Sequence, residues 1–138
     1  MYLPEASEWY NFYNSEYQEP GDSVKDIYIE EAEIGIYVKA GSIIPRKYVR
    51  RMSALETLKD NYLLDIFLPR NGGRCTGHLY FDDGESLEYR TVYSLVEIVF
   101  EDYSLSIKVH HDSYREGQSF VVDEINIFGV DREPSFVS

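Results

Sequence analysis

The chain has 138 residues, a formal net charge of −12, and 43% hydrophobic and 15% aromatic residues. That length buries one ordinary core, or one small domain and part of another, and so many aromatics argue against disorder. The charge disfavours nucleic acid and anionic membrane as partners, since both repel an acidic surface, and no apolar run approaches the roughly 20 residues of a bilayer span.

The opening Met1-Tyr-Leu-Pro-Glu5 lacks the basic and apolar regions of a signal peptide and enters a strand-like pattern at once, as an excised piece would. Trp9-Tyr-Asn-Phe-Tyr13 alternates bulky rings around Asn11, Asn14-Ser15 signals a turn, and Tyr17 starts a return segment that Pro20-Gly21 breaks. Val24 to Glu30 alternates again, and Glu30-Glu-Ala-Glu33 reads as a solvated loop. The organising stretch is Ile34 to Pro45. Ile36 and Val38 alternate with Tyr37 and Lys39, Ala40-Gly41-Ser42 permits a bend, and Ile43-Ile44 restart an apolar run ended by Pro45. This predicts the last element of one β-unit and the hinge into the next.

Four basic residues between Arg46 and Arg51 form a positive island that could meet an acidic surface elsewhere. Ser53-Ala-Leu-Glu56 fits a capping box, which predicts one or two helical turns up to about Lys59, ended by Asp60-Asn61. Beyond Tyr62 the pattern is entirely β. Predicted strands cover 63–68, 77–81, 87–89, 93–100, 105–109, 119–122 and 124–128, with Asp82-Asp83-Gly84 as a tight hairpin turn. Many short strands with frequent turn signals imply an all-β, antiparallel sandwich or barrel.

Side chains with chemistry are few. Asp82 and Asp83 sit together at a turn, where aspartate usually braces the backbone, and they lack the spaced ligands of a calcium loop. His110 and His111 are neighbours on a strand and should point to opposite faces, with His78 far off in sequence, so no metal site is expected. Cys75, the single cysteine, cannot form an internal disulfide and reads as an inert small residue despite Arg74 beside it. No nucleophile elbow, P-loop or dinucleotide fingerprint occurs. Trp9, Tyr10 and Tyr13 could stack on sugar faces, although an alternating aromatic strand is more often sandwich filling.

Three segments in order resemble the region after the catalytic barrel in glycoside hydrolase family 31: Tyr2-Leu-Pro4 with Trp9-Tyr10, then Ile36-Tyr-Val-Lys-Ala-Gly-Ser-Ile-Ile-Pro45, then Gly77-His-Leu-Tyr-Phe-Asp-Asp-Gly84 with Tyr89 after it. Within that family, Arg50-Arg-Met-Ser-Ala-Leu-Glu-Thr-Leu-Lys-Asp60 is most similar to the endoplasmic-reticulum glucosidase II α subunits. The resemblance implies a retaining α-glucosidase whose two catalytic aspartates lie in barrel loops. No segment here matches those motifs, so no catalytic, substrate-binding or metal residue is carried over and no cofactor is expected. It further implies later strands of a proximal C-terminal β-domain over 1–48, a basic, partly helical connector over 49–60, and a distal C-terminal β-sandwich over 61–138. The implied partners are the barrel and a regulatory β subunit, in the endoplasmic-reticulum lumen, acting on N-glycans. On this reading the isolated chain hydrolyses nothing. A free-standing carbohydrate-binding module using Trp9 is the alternative.

Overall fold

A computed structural model describes residues 2–4, 7–19, 26, 29, 34–48, 51–53, 56–57, 60–88, 90–114 and 120–130. Most of the alternation over 24–30 and the acidic cluster over 30–33 lie outside the described residues. The strands are β1 Trp9–Asn11, β2 Tyr17–Gln18, β3 Tyr37–Lys39, β4 Ser42–Lys47, β5 Tyr62–Phe67, β6 Cys75–Phe81, β7 Ser94–Glu101, β8 Ser104–Asp112 and β9 Val122–Phe128. They form a three-stranded sheet, β2-β1-β3, and a six-stranded sheet, β8-β7-β6-β4-β5-β9. The chain is all-β, as its alternating pattern predicts.

The passage between sheets comes at Ala40–Gly41. Strand β3 closes the small sheet and β4 opens the large one, pairing with β5 through six residues from Ser42↔Phe67 to Lys47↔Tyr62. Gly41 has φ +83°, a left-handed conformation that a Cβ disfavours. Its N–H donates to the Phe67 carbonyl at 2.8 Å and its carbonyl accepts from Thr76 N–H at 3.0 Å, so the bend is stitched to both neighbouring strands. Sheet membership thus changes ahead of the basic connector at 49–60. Ile43 faces the large core, which draws Ser42–Lys47 into the second sheet.

Two neighbouring pairs, β4–β6 and β5–β9, run parallel where antiparallel pairing was expected throughout. The reason is topological. Successive strands reverse direction from β4 onward, so neighbours separated by an even number of steps must run the same way, and the order β6-β4-β5-β9 creates two such contacts. The turn after β6 is also longer than a two-residue hairpin. The expected return strand at 87–89 is absent among the described residues: Leu87 is exposed, and the Glu88 carbonyl accepts the Thr91 and Val92 N–H groups, so the chain keeps turning until β7. The β7–β8 connection is the tight one, with Asp102 and Tyr103 both at positive φ, as a two-residue hairpin turn requires. The two segments predicted around Asp123 are one strand, β9.

In the connector, the Ser53 hydroxyl accepts Glu56 N–H at 3.3 Å and its carbonyl accepts Thr57 N–H at 3.3 Å, a capped helical turn at Glu56–Thr57. Leu55, Leu58 and Lys59 lie outside the described residues.

The main core gathers Ile43, Tyr62, Leu64, Ile66, Cys75, Phe81, Val96, Ile98 and Phe100 on one face of the large sheet. A second cluster, Tyr10, Val38 and Phe67 with Phe12, Tyr17, Ile44 and Phe128 around it, joins the two sheets. Beside this seam Asp65 is only 2% exposed, paired with Arg46 Nε at 2.5 Å and accepting from Asn126 Nδ2 at 3.1 Å. Arg46 also lies over the Phe12 ring, 5.1 Å from its centroid. Removing one member of such a pair strands the other with its desolvation uncompensated. Asp65→Ala should therefore cost about 3 kcal/mol, the low end for a broken buried pair because Arg46 is partly solvated. Urea denaturation checks this, and a loss below about 1 kcal/mol, the ceiling for exposed pairs, would place the interaction among them.

Candidate functional site

The aromatic strand divides its rings between two faces. Tyr10 points into the seam and is buried, so it is filling rather than a platform. Trp9 lies on the opposite face, half-buried, with its indole N–H donated to the Pro4 carbonyl at 3.2 Å. Tyr13 is exposed beyond the strand, its ring edge-on to Phe12 at 5.7 Å. The strand's alternation puts Tyr10 and Trp9 on opposite faces, and Tyr13 lies beyond the strand in the turn that follows it.

Both turn aspartates serve the backbone. Asp82 Oδ1 accepts Gly84 N–H at 3.0 Å, and Asp83 Oδ1 accepts Glu85 and Ser86 N–H at 3.1 and 3.0 Å. The Ser86 and Glu85 amides hold the Asp83 carboxyl below the usual carboxylate range.

The described basic residues of the island are likewise engaged internally. Arg46 pairs with Asp65. Lys47 Nζ donates to the Thr57 carbonyl at 2.7 Å and lies 4.4 Å from the Tyr62 ring centroid, and its burial lowers its pKa. Arg51 forks onto Asp60 with contacts of 2.7, 3.0 and 3.2 Å. Lys47 thus ties the connector to β4, Arg46 joins β4 to β5, and Arg51 closes the connector on itself.

Cys75 is fully buried, and burial raises its thiol pKa while the Gly41 backbone hydrogen bond pulls the other way. A thiol both inaccessible and protonated reacts slowly. Ellman's reagent should label Cys75 in urea and leave it unlabelled in buffer over the same interval. Rapid labelling of native protein would contradict its place in the core.

The histidines depart most from expectation. The β7–β8 register pairs Leu95 with His111 and Val96 with Val109, so His110 is the extra residue of a β-bulge. A bulge breaks the two-residue alternation, and both histidines turn to the outer face instead of opposite faces. His110 Nε2 lies 2.8 Å from Glu97 Oε2. His111 stacks on Tyr93 at 4.1 Å and meets Ser113 Oγ at 2.9 Å. His78 stands directly across from Glu97 on β6, and Arg74 reaches Glu97 Oε1 at 3.2 Å. All three histidines of the chain therefore share one sheet face around a carboxylate. Their hydrogen bond from His110, with smaller contributions from Arg74 and His78, holds Glu97 below the ordinary carboxylate range. Tyr80 and Tyr93 stack beside them, 5.4 Å apart. Among the described residues no group of three or more His, Cys, Asp or Glu has metal-binding geometry, and no helix is long and apolar enough to cross a membrane. Sequence reasoning missed Glu97, Arg74 and Lys108 as companions of the histidines, because only the strand order and the bulge bring them together.

No family model matches the chain. It aligns along its whole length with neutral alpha-glucosidase C of Macaca fascicularis at 28% identity, covering 18% of that protein. Over 65% of its length it aligns with a probable glucan 1,3-alpha-glucosidase of Arabidopsis thaliana at 38% identity, covering 10% of that protein. Among solved structures, a Flavobacterium johnsoniae GH31 dextranase matches 98% of the chain with TM-score 0.72 and 26% identity, over 17% of the dextranase. The chain is similar to alpha-glucosidases and to a GH31 dextranase. The catalytic subunit in a heterodimeric ER glucosidase II complex shares the fold, with TM-score 0.69 over 92% of the chain at 20% identity.

The segments of this chain that carry the resemblance occupy structural positions. Tyr10 locks the seam, Gly41 makes the bend, Gly77 allows β4 and β6 to approach, and Asp82 and Asp83 hold the turn. The chain spans between 10% and 18% of the curated relatives described above.

Proposed function

We propose that this chain is a non-catalytic C-terminal β-portion of a retaining α-glucosidase, buttressing a catalytic barrel that lies elsewhere in the parent polypeptide. The observation that carries the reading is the use of the family-like residues: Tyr10 fills the seam, Gly41 makes the bend, Gly77 lets β4 and β6 approach, and both Asp82 and Asp83 are bound to backbone amides. A retaining glycosidase needs two carboxyl groups about 5 Å apart across the scissile bond, which two turn-bracing neighbours do not supply. On this reading the small sheet carries later strands of a proximal β-domain and the six-stranded sheet the distal one. The change of sheet at Ala40–Gly41 supports drawing the division there, ahead of residue 48.

The finer reading is a glucosidase II-like parent that trims α-linked glucose from N-glycans in the endoplasmic-reticulum lumen with a regulatory subunit. The connector motif and the shared fold support it. The purified chain should release no chromophore from an aryl α-glucoside, and turnover that survives repurification would overturn the assignment. The rival reading, a carbohydrate-binding module, predicts saturable quenching of Trp9 fluorescence by glucose or a glucosylated glycan. A silent titration is expected, since the Trp9 N–H is committed to Pro4 and its neighbour Tyr10 is buried.

A further inference from the structure

We propose that the cavity at the edge of the main core, between the start of β7 and the end of β8, binds a small free quaternary ammonium compound of about the size of choline. The cavity measures about 160 Å³, and one of about 150 Å³ holds a benzene-sized guest. Phe81 and Val96, both buried, are its innermost lining, with Tyr114 and Phe120 beside them and the exposed Val109 at the rim. The rings are held before any guest arrives. Phe120 is tilted against Tyr62 at 5.6 Å and edge-on to Phe81 at 6.2 Å, and the Tyr114 N–H donates to the Tyr93 carbonyl at 3.3 Å.

The charged group of this lining is the carboxylate of Asp112. The β7–β8 register sets it opposite the buried Ser94, whose hydroxyl lies 3.1 Å from both Asp112 Oδ1 and the Tyr114 carbonyl. That hydroxyl has one proton to donate, whereas an ionised carboxylate accepts at about four sites. Among the described residues no cation pairs with Asp112. Aromatic rings beside an unmatched negative charge favour a positive guest, through ring quadrupole and Coulomb attraction together. The same lining selects the kind of cation. A primary ammonium brings three N–H donors, and one carboxylate leaves part of them unsatisfied once water is displaced. A quaternary ammonium has no donor to satisfy and offers methyl groups to the Phe and Val side chains. A metal ion would need more than one carboxylate, and the net charge of −12 draws organic cations toward the surface. The site stands independently of any role beside a catalytic barrel.

The test is a nuclear magnetic resonance titration of the isotopically labelled 138-residue chain with choline chloride. The amide resonances of Val96, Val109 and Asp112 should shift saturably, beyond any effect of sodium chloride at matched ionic strength. Choline should bind about tenfold more tightly than its neutral isostere, in which a carbon replaces the nitrogen, the combined effect of rings and carboxylate. Asp112→Asn keeps an acceptor for Ser94. It should weaken choline about fivefold, the ceiling for an exposed charge pair, and leave the isostere unchanged. Thermal melts establish that the variant is folded. Should it fail to fold, the comparison of choline with the isostere on the native chain carries the test alone. Absence of saturable shifts, equal binding of the isostere, or a folded Asp112→Asn that binds choline like the native chain overturns the proposal. So do the same saturable shifts from glucose, which would mark a site for neutral polyols. A peptide bearing trimethyllysine carries the same cation on a protein side chain. If it saturates these shifts at lower concentration than choline, the free small molecule is overturned as the occupant.

Discussion

Gly77→Val should destabilise the chain by about 3 kcal/mol, the upper part of the range for overpacking a close-packed interior. Strands β4 and β6 pair in parallel at Ser42↔Thr76, and the next residue of β6 is Gly77. A Cβ there would run into the Ile43 carbonyl oxygen, and would lie 2.9 Å from Ile43 Cβ and 3.2 Å from its carbonyl carbon. These atoms are backbone or directly attached to it, so no rotamer change clears them. Ile43 cannot retreat either, since β4 is fixed on its other side to β5 through six residue pairs and Ile43 is itself core. The clash must therefore separate the two strands at the centre of the six-stranded sheet. Gly72→Ala is the matched control. It has open space around the new Cβ, but φ +72°, so it should cost only the left-handed penalty of about 1–2 kcal/mol. Urea midpoints measured side by side decide the matter. If Gly77→Val unfolds no earlier than Gly72→Ala, β4 and β6 are not in contact as described.

The contrast between Gly77 and the histidines shows what a sequence can disclose. The bend at Ala40–Gly41 was legible because an alternating run, a glycine and a second apolar run are local signals, and local signals fix local geometry; that the sheet changes there was not. Short strands and turns were legible for the same reason. Strand order was not: nothing near Ser42–Lys47 announces that β6 will lie on one side of it and β5 on the other. Without that order the parallel pairs could not be foreseen, nor the partnership of Arg46 with Asp65. An aspartate inside Leu63-Leu-Asp-Ile-Phe67 reads locally as a solvent-facing residue, and it is buried only because Arg46 and Asn126 reach it from flanking strands. The outer face was hidden by a smaller device. One unpaired residue, His110, shifts the alternation and brings His111 to the side where His78 and Glu97 already stand. A bulge of this kind is decided by the partner strand, so it leaves little trace in its own sequence.

Tyr10→Ala should cost about 4 kcal/mol and Tyr10→Phe about 1 kcal/mol, and the difference between them reports how the two sheets are joined. Tyr10 is 2% exposed, with its ring edge-on to Tyr17 at 5.8 Å and tilted against Phe67 at 5.5 Å. Truncation to alanine empties a site bounded by strands of both sheets, which cannot collapse without drawing β1 and β5 together. The hydroxyl adds a separate contribution. It donates to the Leu68 carbonyl at 2.6 Å, just past the end of β5, and burial raises its pKa. A Cβ on Gly129 would meet that same hydroxyl, so the chain after β9 is packed against it as well. Phenylalanine keeps the ring contacts and leaves one carbonyl without its donor, hence the smaller cost. The main core contains no atom of Tyr10. Amide exchange in Tyr10→Ala should therefore quicken first in β1 and β3, while β6 and β7 keep most of their protection until global unfolding. Uniform loss of protection across both sheets would show that they fold as one unit, with the seam no weaker than the core.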